Sequence, residues 1–262
     1  MHESERHRVI LSAIEGRSVA TVQDFVGLTG ASEATIRRDV AALHAQKKLR
    51  RVRGGAETLR APAPGAVIGE SLAEKQSRNA AEKLAIGRLA ASLCEEGDAL
   101  ILNGGTTTFA MVHFLTIARL TIFTNSFPIA QHLLQHSTAS VHLPAGMVYR
   151  DQGLVLSPFE ADGIAHFRAR RMFMGAQAIS SLGFAESDTL IIQSEQRLMR
   201  QADELIVLAD ASKFEARSSY LIAPLERAHI IVTDDRIDDR SAAMIEAAGP
   251  RLLVAQTTGA AR

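Results

Sequence analysis

Thr35, Arg37 and Arg38 stand in the run Ser32-Glu-Ala-Thr-Ile-Arg-Arg-Asp-Val, and Lys48, Arg51 and Arg53 follow in Lys47-Lys-Leu-Arg-Arg-Val-Arg-Gly-Gly-Ala. Arginines in the first turns of a helix can each donate two bonds to guanine O6 and N7 in the major groove, and a threonine there offers a hydroxyl and a methyl group. The chemistry these residue types allow is the reading of double-stranded DNA. For that, a helix must hold them on one exposed face. Ser32 is expected to cap it by accepting from a backbone amide. Ile36, Val40 and Leu43 recur at i, i+4 and i+7 as its buried stripe, which turns Thr35, Arg37, Arg38 and Ala41 outward, with Ala34 beside them in the first turn. Asp39 is expected to orient an arginine.

The elements around this helix follow from the same patterning. Val9, Ile10, Ala13 and Ile14 predict a first amphipathic helix, and Thr21 opens a second whose Val22, Phe25 and Val26 point inward; Thr21 also joins the expected DNA-facing set. Gly30 supplies the tight turn before Ser32, and Leu49 to Val52 with Gly54-Gly55 predicts a strand and turn. Residues 1–57 therefore predict a winged helix-turn-helix. A small helical bundle with solvated charges competes, since a charge run is usually a wet face. The helix-turn-helix order outweighs it.

A second set of residues suits an anion. Asn103-Gly104-Gly105-Thr106-Thr107-Thr108 follows the apolar run Ala99 to Leu102 and opens a helical pattern; its glycines allow close backbone approach, and its hydroxyls and free amides suit a phosphate. Thr124-Asn125-Ser126, Asp210-Ala-Ser-Lys213-Phe and Thr233-Asp-Asp follow other apolar runs in the same way. Each alone is what any strand-to-helix turn uses. Together they predict a pocket for a small polar or phosphorylated ligand.

Seven apolar runs position these turns: 99–102, 120–124, 140–143, 171–174, 205–209, 229–233 and 251–255, separated by amphipathic stretches near 106–116, 126–136, 188–202 and 240–248. Continuous apolar strands alternating with helices predict a parallel sheet covered on both faces, an α/β domain over 80–262. Residues 58–79, with Pro62, Pro64, Gly65 and Gly69, are the expected linker.

Composition sets bounds on the whole. Lys and Arg number 29 and Asp and Glu 29, yet residues 1–60 hold 11 against 7, and residues 32–53 hold 7 against 2. A locally basic module fits phosphate contacts and salt-dependent binding, whereas the neutral total argues against a non-specific architectural DNA binder. At 262 residues and 47% apolar content, two domains are expected. The single cysteine, Cys94, is expected buried and reduced, so no disulfide forms within one chain. The N-terminus has no apolar signal region and no run is long enough to span a bilayer, so a cytoplasmic protein is expected. His132 and His136 have a metal-like i, i+4 spacing without a convincing third ligand, and no metal site is assigned. Asp188 is expected as a helix cap and Glu195 as solvated or facing another subunit; the competing reading makes them acid and base of an enzyme.

Thr35-Ile-Arg-Arg-Asp-Val with Arg51-Val-Arg-Gly-Gly-Ala resembles the signature of DeoR-family bacterial transcription regulators, whose usual forms are TIRRDL and RVHGGA. Val40 is a conservative departure, and Arg53 in place of His adds charge to the wing. The resemblance continues through the whole chain. It implies a Rossmann-like sensor domain similar in fold to ribose-5-phosphate isomerase and glucosamine-phosphate deaminase, responsive to a phosphorylated sugar or sugar acid. Gly105-Thr-Thr-Thr matches the family's phosphate loop, Thr124-Asn-Ser its T-N-S segment, and Asp210-Ala-Ser-Lys-Phe its D-x-S-K-F segment with Lys213 on phosphate or sugar oxygens. Gly146 matches a Gly-Gly turn in part, and Asn103-Gly104 replaces a commoner acidic residue. The segment from Gly153 to Pro158 resembles the ascorbate-utilisation repressors of the family. The function implied is a repressor, dimeric or tetrameric and without cofactor or catalysis, whose DNA-binding residues are Thr21, Ser32, Ala34, Thr35, Arg37, Arg38, Lys48, Arg51 and Arg53. The alternative is a sugar-phosphate isomerase-like enzyme with an appended DNA-binding module.

Overall fold

The structure, a computed structural model, describes residues 2–17, 19–46, 48–58, 72–157 and 163–257. Contacts divide the chain into two compact units, Met1–Lys75 and Gln76–Arg262, each with its own core.

The first unit runs α1 (Glu3–Arg17), β1 (Val19–Thr21), α2 (Val22–Thr29), α3 (Glu33–Ala45), β2 (Leu49–Val52) and β3 (Gly55–Thr58). Thr21 and Asp24 form a reciprocal capping box on α2, and Gly30 ends it in the left-handed conformation at φ 68°. Ser32 caps α3, its hydroxyl accepting from the Thr35 amide. Ile10, Ile14, Phe25, Ile36, Val40, Leu43 and Leu49 pack into one core, so the stripe read from the sequence is the buried one. Strand β1 was not foreseen. It pairs antiparallel with β3, giving the order β1-β3-β2, and its three residues are too short to show alternation. The pairing explains Gly55: a Cβ there would lie 2.1 Å from the Ala20 carbonyl oxygen.

Residues 59–71 of the expected linker, with both prolines and both glycines, lie outside the described residues. Its end is α4 (Leu72–Ser77), a helix where irregular chain was expected.

The second unit continues α5 (Ala80–Ala91), β4 (Ala99–Leu102), α6 (Thr106–Val112), β5 (Thr121–Thr124), α7 (Phe127–His136), β6 (Ser140–His142), β7 (Met147–Tyr149), β8 (Leu154–Leu156), β9 (Ala169–Met174), β10 (Ala178–Ser180), β11 (Gly183–Glu186), α8 (Thr189–Met199), β12 (Ala202–Leu208), β13 (Tyr220–Ala223), β14 (Ile230–Asp234), α9 (Asp239–Ala248) and β15 (Arg251–Ala255). Seven strands form one parallel sheet in the order β15-β14-β12-β9-β4-β5-β6. Alternate residues serve opposite faces. Ile101, Met172, Val207 and Ile231 pack with Ile192 and Leu198 of α8 and Ile245 of α9, whereas Leu100, Phe173, Ile206 and Val232 pack with Ile86, Met111 and Ile129 of α5, α6 and α7. Covering both faces makes a stretch of β4, β9, β12 and β14 apolar on consecutive residues. Cys94 is buried beneath the second layer, where burial pushes its thiol up to about 12.

The strand order places a reversal of winding between β4 and β9: the chain goes outward through β5 and β6, then returns to the other side of β4. At such a switch point the connections diverge and leave a crevice at the carboxyl ends of the strands. A hairpin β7–β8 and a small antiparallel sheet β10-β11-β13 complete the unit.

Candidate functional site

In the first unit, α3 presents Ala34, Arg37 and Arg38 exposed and Thr35 half-buried, and the wing adds exposed Lys48, Arg51 and Arg53. A cleft of about 600 Å³ separates helix from wing, lined by Arg37, His44, Arg51, Arg53 and the Gly54-Gly55 turn. Arg37 reaches back one turn to Glu33 at 2.9 Å, an exposed pair that gives way easily to a better acceptor. The hydroxyls of Thr21 and Ser32 are engaged as helix caps. Lys47 lies outside the described residues.

Asp39 does orient an arginine, and it is Arg6 of α1. Arg6 donates from Nε at 2.8 Å and Nη2 at 3.2 Å, and His7 Nε2 approaches at 3.3 Å. Burial pushes the Asp39 carboxyl up, but the Arg6 bonds and charge, with His7, outweigh it and hold the group below the usual carboxylate range. The buried side of the recognition helix is thereby pinned to α1, leaving Arg37 and Arg38 on the open side.

In the second unit the expected polar turns all lie at the carboxyl edge of the parallel sheet. Two of them touch: the Gly104 amide donates to Asn125 Oδ1 at 2.8 Å, joining the turn after β4 to that after β5. Thr124 is buried and accepts from the Ser126 amide, and Ser126 caps α7. Gly105 opens α6 without a side-chain cap, so the amides that follow, at Thr106, Thr107 and Thr108, keep donors that no side chain among the described residues answers. Thr108 Oγ1 donates to the Gly105 carbonyl at 2.9 Å, which steadies the loop from within. Against it lies the hairpin, where Leu154 packs on Gly104 and the Val155 amide donates to the Asn125 carbonyl. Gly146 belongs to this hairpin: a Cβ there would lie 2.3 Å from the Leu156 carbonyl oxygen, a backbone requirement that needs no ligand.

Asp210 and Lys213 follow β12, with β9 between them and the Thr loop. Asp210 is 1% exposed, caps the short turn Ala211–Lys213, and accepts from Asn79 Nδ2 at 2.8 Å and from the Ser212 hydroxyl. Lys213 is half-buried. Next along the edge, Asp234 accepts from the Ala211 amide at 2.7 Å and pairs with Arg236.

Glu195 corrects the sequence expectation of a solvated or subunit-facing side chain. It is 4% exposed and accepts from Asn103 Nδ2 at 2.7 Å. Burial, reinforced by the charge of Glu186, overcomes the Asn103 bond and pushes its carboxyl up to about 8. The signal was in the sequence: Ile191, Ile192, Glu195, Leu198 and Met199 form one helical stripe, with a carboxylate in an apolar row. Asp188 caps α8 as expected. Beside the His132 and His136 pair the structure adds His113, whose ring packs edge-on to His132 at 4.6 Å.

Among the described residues, no helix is long and apolar enough to cross a membrane. The family description "DeoR C terminal sensor domain" matches residues 78–235, and "DeoR-like helix-turn-helix domain" matches residues 6–61. The chain is 34% identical over 232 residues to the uncharacterized HTH-type transcriptional regulator FruR of Bacillus subtilis (strain 168), covering 88% of this chain and 90% of that one. It is 27% identical over 253 residues to the HTH-type transcriptional regulator UlaR of Shigella dysenteriae serotype 1 (strain Sd197), covering 97% and 99%. Ribose 5-phosphate isomerase A from Methanocaldococcus jannaschii aligns with a TM-score of 0.39 and 17% identity, over 52% of this chain and 55% of that one.

Proposed function

The chain belongs to the DeoR family of DNA-binding transcriptional regulators, and from that premise we propose that it is a repressor released from operator DNA by a phosphorylated sugar. The observation that carries the reading is the pairing, in one chain, of two separately cored units. One has an exposed basic helix and wing around a cleft. The other has an uncapped Gly-Gly-Thr loop at the carboxyl edge of a parallel sheet. Arg37, Arg38, Arg51 and Arg53 meet bases and phosphates, and Gly104 to Thr108 with Asn125 and Lys213 hold the effector. Release requires the effector to favour the arrangement that cannot bind DNA, by about 1–3 kcal/mol as is typical of such coupling. One recognition helix reads few base pairs, so two or more copies of the chain bind repeated half-sites.

Binding to the DNA upstream of its own gene, measured with Arg37→Ala, Arg38→Ala and Arg53→Ala, tests the output. A base-reading arginine is expected to cost about 1–3 kcal/mol and to relax sequence preference, whereas a phosphate contact weakens all sequences alike and lowers the salt slope. Unchanged binding in all three variants removes the recognition-helix assignment. For the input, Thr106→Val is expected to leave DNA affinity intact while abolishing release by sugar phosphates. Normal release of that variant contradicts the loop assignment.

The isomerase-like alternative needs a positioned acid and base. Asp210 has Oδ1 engaged by Asn79 and Ser212 and Oδ2 open, and among the described residues Glu195 is hydrogen-bonded by Asn103 alone. Turnover of phosphorylated sugars by the purified protein, abolished by Asp210→Asn, would establish the enzyme instead.

A further inference from the structure

The Thr106 loop accounts for an anion, yet the switch point beside it holds polar atoms that nothing among the described residues answers. Asn103 Oδ1 and Glu195 Oε2 are both buried without a hydrogen-bond partner, on side chains 1% and 4% exposed. Buried polar atoms are almost always paired, with protein, water or ligand, so two on adjoining side chains at this edge are open to a polar partner. The position agrees. Asn103 directly follows β4, its backbone amide donates to the Phe173 carbonyl of β9 at 2.9 Å, and β4 and β9 flank the reversal of winding.

The chemistry left over can be read atom by atom. Asn103 Nδ2 donates to Glu195 Oε1 at 2.7 Å, which uses one atom of each side chain. Asn103 Oδ1 remains as an acceptor. Burial pushes the Glu195 carboxyl up to about 8, so at neutral pH it carries a proton and Oε2 is a donor as well as an acceptor. Resting on the reading of this edge as the effector site, we infer that Asn103 and Glu195 recognise the uncharged, hydroxyl-bearing end of a phosphorylated sugar and discriminate against a sugar acid. Hydroxyl groups both donate and accept, so vicinal hydroxyls satisfy both atoms at once. A carboxylate offers only acceptors. It leaves Asn103 Oδ1 facing another oxygen and brings a second desolvated negative charge near Glu186, with Asp210 on the same edge.

The test titrates the full-length protein with inorganic phosphate, a panel of aldose and ketose phosphates, and aldonic acid phosphates of matched carbon number, following heat of binding and thermal shift. The best sugar phosphate is expected to bind at least tenfold more tightly than its matched acid and than inorganic phosphate. Glu195→Gln, which keeps an acceptor for Asn103 and replaces the O–H by an N–H, is expected to retain that preference. Glu195→Met, or Asn103→Leu should that variant not fold, is expected to shrink it below threefold while inorganic phosphate still binds. The inference is overturned by a matched acid that binds as tightly, by a preference that survives Glu195→Met, or by a loss of phosphate affinity equal to the loss of sugar affinity, which marks a structural role. Phosphate binding with no gain from any sugar sinks this inference alone. Silence from phosphate and every sugar phosphate sinks the effector reading as well.

Discussion

Asp98→Ala is expected to destabilise the sensor unit by about 3 kcal/mol, the lower end of what breaking a buried ion pair costs. The Asp98 side chain is 6% exposed and accepts from Arg171 Nη1 and Arg170 Nη1, each at 3.1 Å, and from the Glu95 amide at 2.9 Å. Arg171, 11% exposed, also donates to Glu204 Oε2 at 2.8 Å and to the Leu93 carbonyl. Three neighbouring strands are thereby tied together, since Asp98 leads into β4, Arg171 lies on β9 and Glu204 on β12. Removing Asp98 strips Arg171 of its most buried counter-charge and leaves the Glu95 amide unanswered. The remaining acceptors of Arg171 keep the loss from the top of the range. An internal control is at hand: Arg119 and Glu96 pair at 2.8 Å but are 79% and 54% exposed, so Glu96→Ala is expected to cost under about 1 kcal/mol. Denaturant melts of both variants check the contrast, and equal midpoints would show that burial of the Asp98 cluster adds nothing. Because the cluster sits at the amino edge of the sheet, opposite the candidate pocket, the loss should appear in stability and leave effector selectivity intact.

The parallel sheet was legible because both of its faces are covered. Each of the seven apolar runs corresponds to one of its seven strands, and the turns after β4, β5, β12 and β14 carried the polar residues expected there. Strand order was not legible, since apolar runs of similar composition carry no record of which neighbours which. The three-residue strands β1, β7 and β8 were invisible for another reason: period-two alternation needs more residues than they have. Thr21, Ser32 and Asp188 were legible as caps because their partners lie within three residues in sequence. The partner of Asp39 was not, because Arg6 lies 33 residues away and only the folded contact of α1 with α3 reveals it. Glu195 was misread by type, as a charged residue belongs outside. Its place in the α8 stripe argued the opposite, and spacing was the better guide.

Glu195→Gln is expected to stabilise the protein, by a margin that grows with pH. A carboxyl pushed up to about 8 by burial keeps, in the folded state, a proton that the unfolded chain gives up near its ordinary value of 4.5. Between those two values the folded state binds more protons than the unfolded one, so stability falls as pH rises through the window, with a slope approaching about 1.4 kcal/mol per pH unit. Above the folded value both states are ionised and the slope vanishes. Glutamine fits the same space, still accepts from Asn103 and does not titrate, so it escapes that decline. The two proteins should differ by under about 1 kcal/mol at pH 5 and by on the order of 2–4 kcal/mol at pH 8. Urea unfolding at pH 5, 6, 7 and 8 measures the divergence; parallel curves would show that Glu195 holds no proton in the fold. The sign shows whether the buried carboxyl costs or contributes stability. A glutamate kept for stability loses something when replaced by its neutral isostere, whereas Glu195 sits in the apolar stripe of α8, where ionising it is costly and the neutral isostere is expected to gain.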